Sequence, residues 1–177
     1  MKKILMPVVA LLLCAVILFA MDAGLEGIRA EKANAEHLSI MKTLLPGSEN
    51  FTLEKYTGDD AIIRSVHKGE TGYVIETVTA GYAGDIRMLV AVSNEGKVVG
   101  IVVRDMHETR GLGTQALTDT DFLAQLLGTS GEAAIGTDVD ALSGATVTSK
   151  AVVRSVNSAA AFVTGVDTSS GATSWGG

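Results

Sequence analysis

The spacing of apolar residues along the chain changes several times, and each change marks an element. From Ile4 to Met21 every residue is apolar, "ILMPVVALLLCAVILFAM", behind Met1-Lys2-Lys3. As a helix this run reaches about 27 Å, close to the thickness of a bilayer's hydrocarbon core, and it predicts a transmembrane anchor over 1–21. Across 22–47 the apolar residues thin out. Leu38, Met41 and Leu45 recur at helical spacing until Pro46-Gly47, which predicts a stalk helix whose stripe packs on its own domain. From Ala61 the period shortens. "AIIRSVH", "GYVIETVT", "DIRMLVAVS" and "KVVGIVVRD" are short runs rich in Val and Ile with polar residues interleaved, and they predict strands. Asn94 to Gly96 joins the last two as a hairpin turn.

Helical spacing then returns. "DTDFLAQLLG" has Thr118 or Asp119 as its N-cap and Gly128 as its stop. In "TSKAVVRSVNSAAAFVTG", Val152, Val156, Ala160 and Val163 share one face and Gly165 ends the helix. Strands followed by helices, rather than alternating with them, predict an α+β fold. The expected architecture is one N-terminal transmembrane helix and a small extracytoplasmic domain over 48–165, with an antiparallel sheet flanked by helices. The short polar stretch 166–177 reads as a flexible tail.

Charge orients the apolar run. The lysines precede it while Asp22 and Glu26 follow it, so the positive-inside rule places the remainder outside the cytoplasm. "FAMDAG" is a poor small-x-small cleavage site, which favours an uncleaved anchor. Leu13 before Cys14, with apolar residues after it, does not fit a lipoprotein signal. A net charge of -6, no basic run beyond Lys2-Lys3 and 5% aromatic residues argue against a nucleic-acid partner. Cys14, the single cysteine, lies inside the span, which rules out an intrachain disulfide or a Cys-ligated cluster. His37, His67 and His107 lack metal-binding spacing, so no metal site is expected. Redox work in such a chain needs an organic cofactor.

Two segments carry candidate chemistry. In "DALSGATVTSKAVV", Ser143, Gly144 and Ala145 are small, and Thr146, Thr148 and Ser149 crowd three hydroxyls into four residues ahead of an apolar helix. The first turn of a helix favours a phosphate, because its N–H groups lack partners and carry a partial positive charge. For an isolated S-G-A-T the favoured reading is an ordinary helix cap, with Thr146 or Thr148 as N-cap. In "HETRGLGT", Gly111 and Gly113 flank Leu112 and let the backbone pass close to something flat. Glu108 and Thr109 offer hydrogen bonds there, and Arg110 a positive charge. The bland alternative is a plain connection to the helix around Phe122. It is not a dinucleotide fingerprint, since the third glycine and the βαβ setting are missing. No catalytic acid–base pair stands out: Glu70, Glu76 and Asp85 read as solvated charges.

Taken together and in this order, the anchor, the stalk ending in "LLP", "GYAGDIRMLVAVSNEGKVVGIVV", "HETRGLG" and "DALSGAT" resemble a family of extracytoplasmic domains carrying covalent FMN. That family includes the G subunit of the Rnf electron-transport complex and the C subunit of the sodium-pumping NADH:quinone reductase. The chain's length is nearer to the former. The resemblance implies that Thr146 is joined to FMN through a phosphoester made by a dedicated flavin transferase, one FMN per chain. Ser143, Gly144, Ala145 and Thr148 would surround the attachment, and Glu108, Thr109, Arg110, Gly111, Leu112 and Gly113 would border the flavin. It further implies an electron-transfer component of an ion-translocating ferredoxin:NAD⁺ oxidoreductase, whose partners are the other Rnf-type subunits and membrane lipid. Arg110 stands where the family usually has proline, which loosens the turn and adds a cation beside an anionic cofactor. Two alternatives stay open, a stand-alone anchored flavoprotein for extracellular electron transfer and a non-redox binding module. D-x-x-S-G-A-T also recurs from Asp167 to Thr173. Only Ser174 to Gly177 follow that copy, too few for a helix, so Thr173 is the weaker candidate.

Overall fold

Short turns between runs of alternating pattern force neighbouring strands to run antiparallel. The computed structural model describes residues 31–106 and 118–166, and there the chain builds a five-stranded antiparallel sheet. Its strands, β1 (Thr52–Glu54), β2 (Ile63–Lys68), β3 (Gly72–Ala80), β4 (Asp85–Ser93) and β5 (Val98–Met106), lie in chain order across the sheet. Three helical segments accompany it: α1 over residues 31–44, α2 (Thr120–Ala124) and α3 (Thr146–Thr164). The predicted anchor, the loop Glu108 to Gly113 and the second S-G-A-T lie outside the described residues. Among the described residues no helix is long and apolar enough to cross a membrane.

The expected strands form, and their turns follow from glycine. Gly96 adopts φ +79 in the β4–β5 hairpin, where the Ser93 N–H donates to the Lys97 carbonyl at 2.8 Å. β1 was not expected, because three residues on an edge are too few to display a period. The register of β5 against β4 shifts twice, so its nine residues from Val98 to Met106 run opposite only Val92 back to Ile86. Each shift is a bulge that adds a residue on one strand and bends it.

Ile63, Val66, Ile75, Ile86, Met88, Val90 and Val92 point to one face and pack with Val152, Val156, Ala159 and Ala160 of α3. The predicted helical stripe is therefore the buried one. Burying Val152 and Val156 is worth about 1.5–3 kcal/mol each. α3 ends where Gly165 takes the left-handed conformation, φ 73, and returns its N–H to the Ala161 carbonyl at 2.7 Å. Val74, Leu89 and Ala91 face the other way and are equally buried. On that face Gly100 pairs with Ala91, and a side chain at Gly100 would come within 2.8 Å of the Leu44 carbonyl. The last turn of α1 thus lies close against the sheet, with Met41 and Leu45 buried and Leu38 exposed.

Candidate functional site

The S-G-A-T turn stands at the start of a 19-residue helix. Gly144 takes φ 79, the Ala145 N–H donates to the Leu142 carbonyl at 3.0 Å, and Ser149 opens the helical ladder with a 2.8 Å bond to the Ala145 carbonyl. Ser149 also braces the turn, its Oγ accepting from the Leu142 N–H at 3.3 Å. The N-cap is Ala145, which has no side-chain oxygen to give, so neither Thr146 nor Thr148 serves as the cap. The N-cap thus supplies no acceptor to the first-turn N–H groups, which have no intrahelical one either.

Burial separates the three hydroxyls that the sequence crowds together. Thr148 and Ser149 are buried, at 1% and 0% exposure. Thr146, the first helical residue, is exposed, as are Ser143 and Gly144 before it. Thr148 can thus contribute its backbone N–H at the helix end while its side chain serves the interior.

The direction of α3 decides what surrounds Thr146. Thr79 Oγ1 and Ser155 Oγ are hydrogen-bonded in the interior, and the Tyr73 and Phe162 rings meet edge to face at 5.6 Å. The helix therefore runs antiparallel to β3. Tracing it back from Ser155 to Thr146, roughly 13 Å, leads toward the end of the sheet where β3 stops and β4 begins. Met106, the last residue of β5, pairs with Ile86 at that same end. Met106 is the last described residue before "HETRGLG", and that loop itself is outside the described residues. Asp119 caps α2, accepting from the N–H groups of Asp121 and Phe122. Gln125 beyond it accepts from the Asp140 N–H at 2.8 Å and so anchors the start of the motif.

Sequence reasoning does not place the β3–β4 loop at this end. Gly81 to Gly84 close it with a 2.8 Å backbone bond, and Tyr82 at its tip is 73% exposed. The signal was an aromatic residue between small ones in a hairpin. A groove lined by Leu44, Pro46, Val99, Leu123 and Leu127 holds none of the expected site residues. Among the described residues no group of His, Cys, Asp and Glu is placed to hold a metal ion.

An exposed hydroxyl at a helix start without a side-chain cap is a setting that favours a phosphate. Comparisons with known proteins identify the cofactor class. A family profile described as FMN-binding domain matches residues 81–161, from the β3–β4 loop into α3. The G subunit of a proton-translocating ferredoxin:NAD(+) oxidoreductase complex from Clostridium ljungdahlii is 37% identical over 98 residues, 52% of this chain and 53% of that one. The G subunit of a Na(+)-translocating ferredoxin:NAD(+) oxidoreductase complex from Acetobacterium woodii is 35% identical over 49% of this chain and 46% of its own. In Methanosarcina acetivorans, the G subunit of an ion-translocating oxidoreductase complex is 32% identical over 139 residues, 70% of this chain and 72% of that one. The chain belongs to the family of G subunits of Rnf-type ion-translocating oxidoreductase complexes. It spans about half the length of the Clostridium and Acetobacterium relatives.

Proposed function

We propose that this chain is a membrane-anchored electron-transfer subunit carrying one FMN, joined through a phosphoester to Thr146, in an Rnf-type ion-translocating complex. The observation that carries the reading is the exposed Thr146 hydroxyl at the first position of a long helix with no side-chain cap. Residues 1–21 anchor it, 22–47 form the stalk, 48–165 hold the flavin outside the cytoplasm and 166–177 form the tail. Its partners are the other subunits of the complex, membrane lipid and the flavin transferase that matures it.

Bound FMN supplies the one- and two-electron chemistry. The residues supply attachment and position. At an exposed helix end the dipole favours an anion by only about 0.3–1 kcal/mol, too little to retain a cofactor. Noncovalent affinity helps only while free ligand is present, and outside the cytoplasm a lost flavin is not replaced. Attachment to Thr146 Oγ1 removes dissociation altogether and leaves the isoalloxazine unmodified. The N–H groups of the first turn would hold the phosphate oxygens, with Ser143 close to them in sequence. Glu108, Thr109, Arg110, Gly111, Leu112 and Gly113 would border the ring, with Arg110 offsetting the anionic charge of the phosphate or reduced flavin.

Co-expression with a flavin transferase, followed by intact-mass and peptide mass spectrometry, tests this. One FMN-phosphoester increment on the peptide spanning Asp140 to Thr148 is expected. An unmodified Thr146 in flavin-loaded membranes would overturn the assignment.

A further inference from the structure

One edge of the sheet is left partly bare by its own strands. β1 pairs only with Val66 to Lys68, so the first half of β2, Ile63 to Ser65, has no strand partner on that side among the described residues. An open edge invites pairing with other chains, and folded proteins commonly cover one with a loop or a helix. Leu53, Lys55, Tyr56, Ile63 and Arg64 line a groove of about 530 Å³ at this place.

The groove is part apolar and part cationic. Leu53 is 66% exposed although it lies in a strand. Tyr56 is fixed, its ring edge to face with Phe162 and its hydroxyl accepting from the Asp60 N–H at 3.1 Å. The nearby carboxylates are engaged elsewhere: Glu54 pairs with Lys68 at 3.6 Å, and Asp60 accepts from the Ile62 N–H at 2.9 Å. Lys55 and Arg64 form no ion pair among the described residues. An apolar wall beside two uncommitted cations suits an aromatic side chain on a segment of negative charge.

The chain carries such a segment close by. α3 ends within a turn of Phe162, whose ring centroid lies 5.9 Å from that of Tyr56, so the chain leaves the helix near the groove wall. In the sequence that follows, "VDTSSGATSWGG", Asp167 is the one charged residue and Trp175 the only tryptophan of the protein. The stretch from Val166 to Trp175 can span about 30 Å, enough for the indole to reach the groove. So short a tether also keeps the indole at high effective concentration there.

We propose that residues 167–177 pack into this groove as a strap over the open edge of β2, with the Trp175 ring on its apolar wall and Asp167 beside Lys55 and Arg64. Packing the indole against Leu53 removes apolar surface of both from water. Thr173 of the second S-G-A-T, close before the ring in sequence, is then held at the sheet edge.

Because the chain has a single tryptophan, its emission reads the docking directly. The full-length chain is purified without flavin loading, so that no flavin absorbs that emission. Wild type is expected to show the blue-shifted emission of a buried indole, with acrylamide quenching several-fold weaker than in Leu53→Asp. Arg64→Glu, at an exposed site, is expected to lose protection too, and Asp167→Arg in that background to restore it. Should Leu53→Asp fail to fold, the Arg64→Glu variants are read instead. A hydrated indole in wild type would overturn the proposal. So would a protected indole that no groove variant exposes, because the ring would then lie against detergent or another surface.

Discussion

The two ends of the sheet are built on opposite principles. At one end the β2–β3 turn, the β4–β5 hairpin and the C-terminus of α3 are stitched together. Asn94 donates to the Glu70 carbonyl at 3.2 Å and its N–H to the Thr71 carbonyl at 3.1 Å, while Glu70 accepts from the N–H groups of Glu49 and Asn50. Phe162 lies between Tyr56 and Tyr73, and Gly165 closes the helix. At the other end α3 begins on an alanine with no side-chain cap, and Thr146 is exposed. The bonded end holds the frame, and the exposed Thr146 hydroxyl lies at the other. Stability concentrated away from the site lets exposed residues there be chosen for chemistry.

If that division holds, changes at the two ends should fail in different ways. The largest effect is expected from Thr146→Ala, which should abolish the flavin mass increment and the fluorescent band on a denaturing gel. Its thermal unfolding should shift by no more than about 0.5 kcal/mol, as for an exposed site. Thr173→Ala should leave the increment intact. An increment that survives in Thr146→Ala and disappears in Thr173→Ala would transfer the site to the second S-G-A-T and dissolve the contrast.

At the bonded end the expectation reverses. Phe162→Ala should cost about 3 kcal/mol in denaturant unfolding, since it removes a ring from between two others, while protein that folds still takes up flavin. Gly165→Ala, forcing a side chain into the left-handed region, should cost about 1 kcal/mol. Loss of flavin loading in either variant at temperatures where it remains folded would mean the two ends are coupled. The smallest effect concerns acid. The backbone N–H of Glu70, followed by the groups of Asn50 and Glu49, holds the Glu70 carboxyl below its ordinary value, against an opposing contribution from burial. A depressed folded pKa stabilises above the ordinary carboxylate range and is lost as pH falls through the folded value. The difference in Tm between wild type and Glu70→Gln should therefore be present at neutral pH and vanish in acid. As the group is exposed, that difference should be small.

Much of this arrangement could be read from residue order. The strand runs from Ile63 to Met106, the turn at Gly96, the cap at Asp119 and the buried stripe of α3 all appear where period and glycine placed them. The β5 bulges could not be read, because "KVVGIVVRD" is apolar at positions on both faces and a shift of one residue leaves its composition unchanged. β1 was equally hidden, being three edge residues held by pairing with β2. The position of the β3–β4 loop at the end where α3 begins was invisible for a different reason. Tyr82 and Thr146 are far apart in sequence, and only the direction of α3 across the sheet puts their elements at one end.

Local sequence was enough to specify the elements, because strand alternation, helical spacing and glycine turns act between near neighbours. The S-G-A-T hydroxyl was singled out through the resemblance to a known family, which needs no tertiary contact to be recognised. Which hydroxyl reaches the surface was a matter of packing. Thr148 and Ser149 turn inward where α3 meets its surroundings, and Thr146 remains outside because burial depends on what lies across from a helix, which no local pattern records.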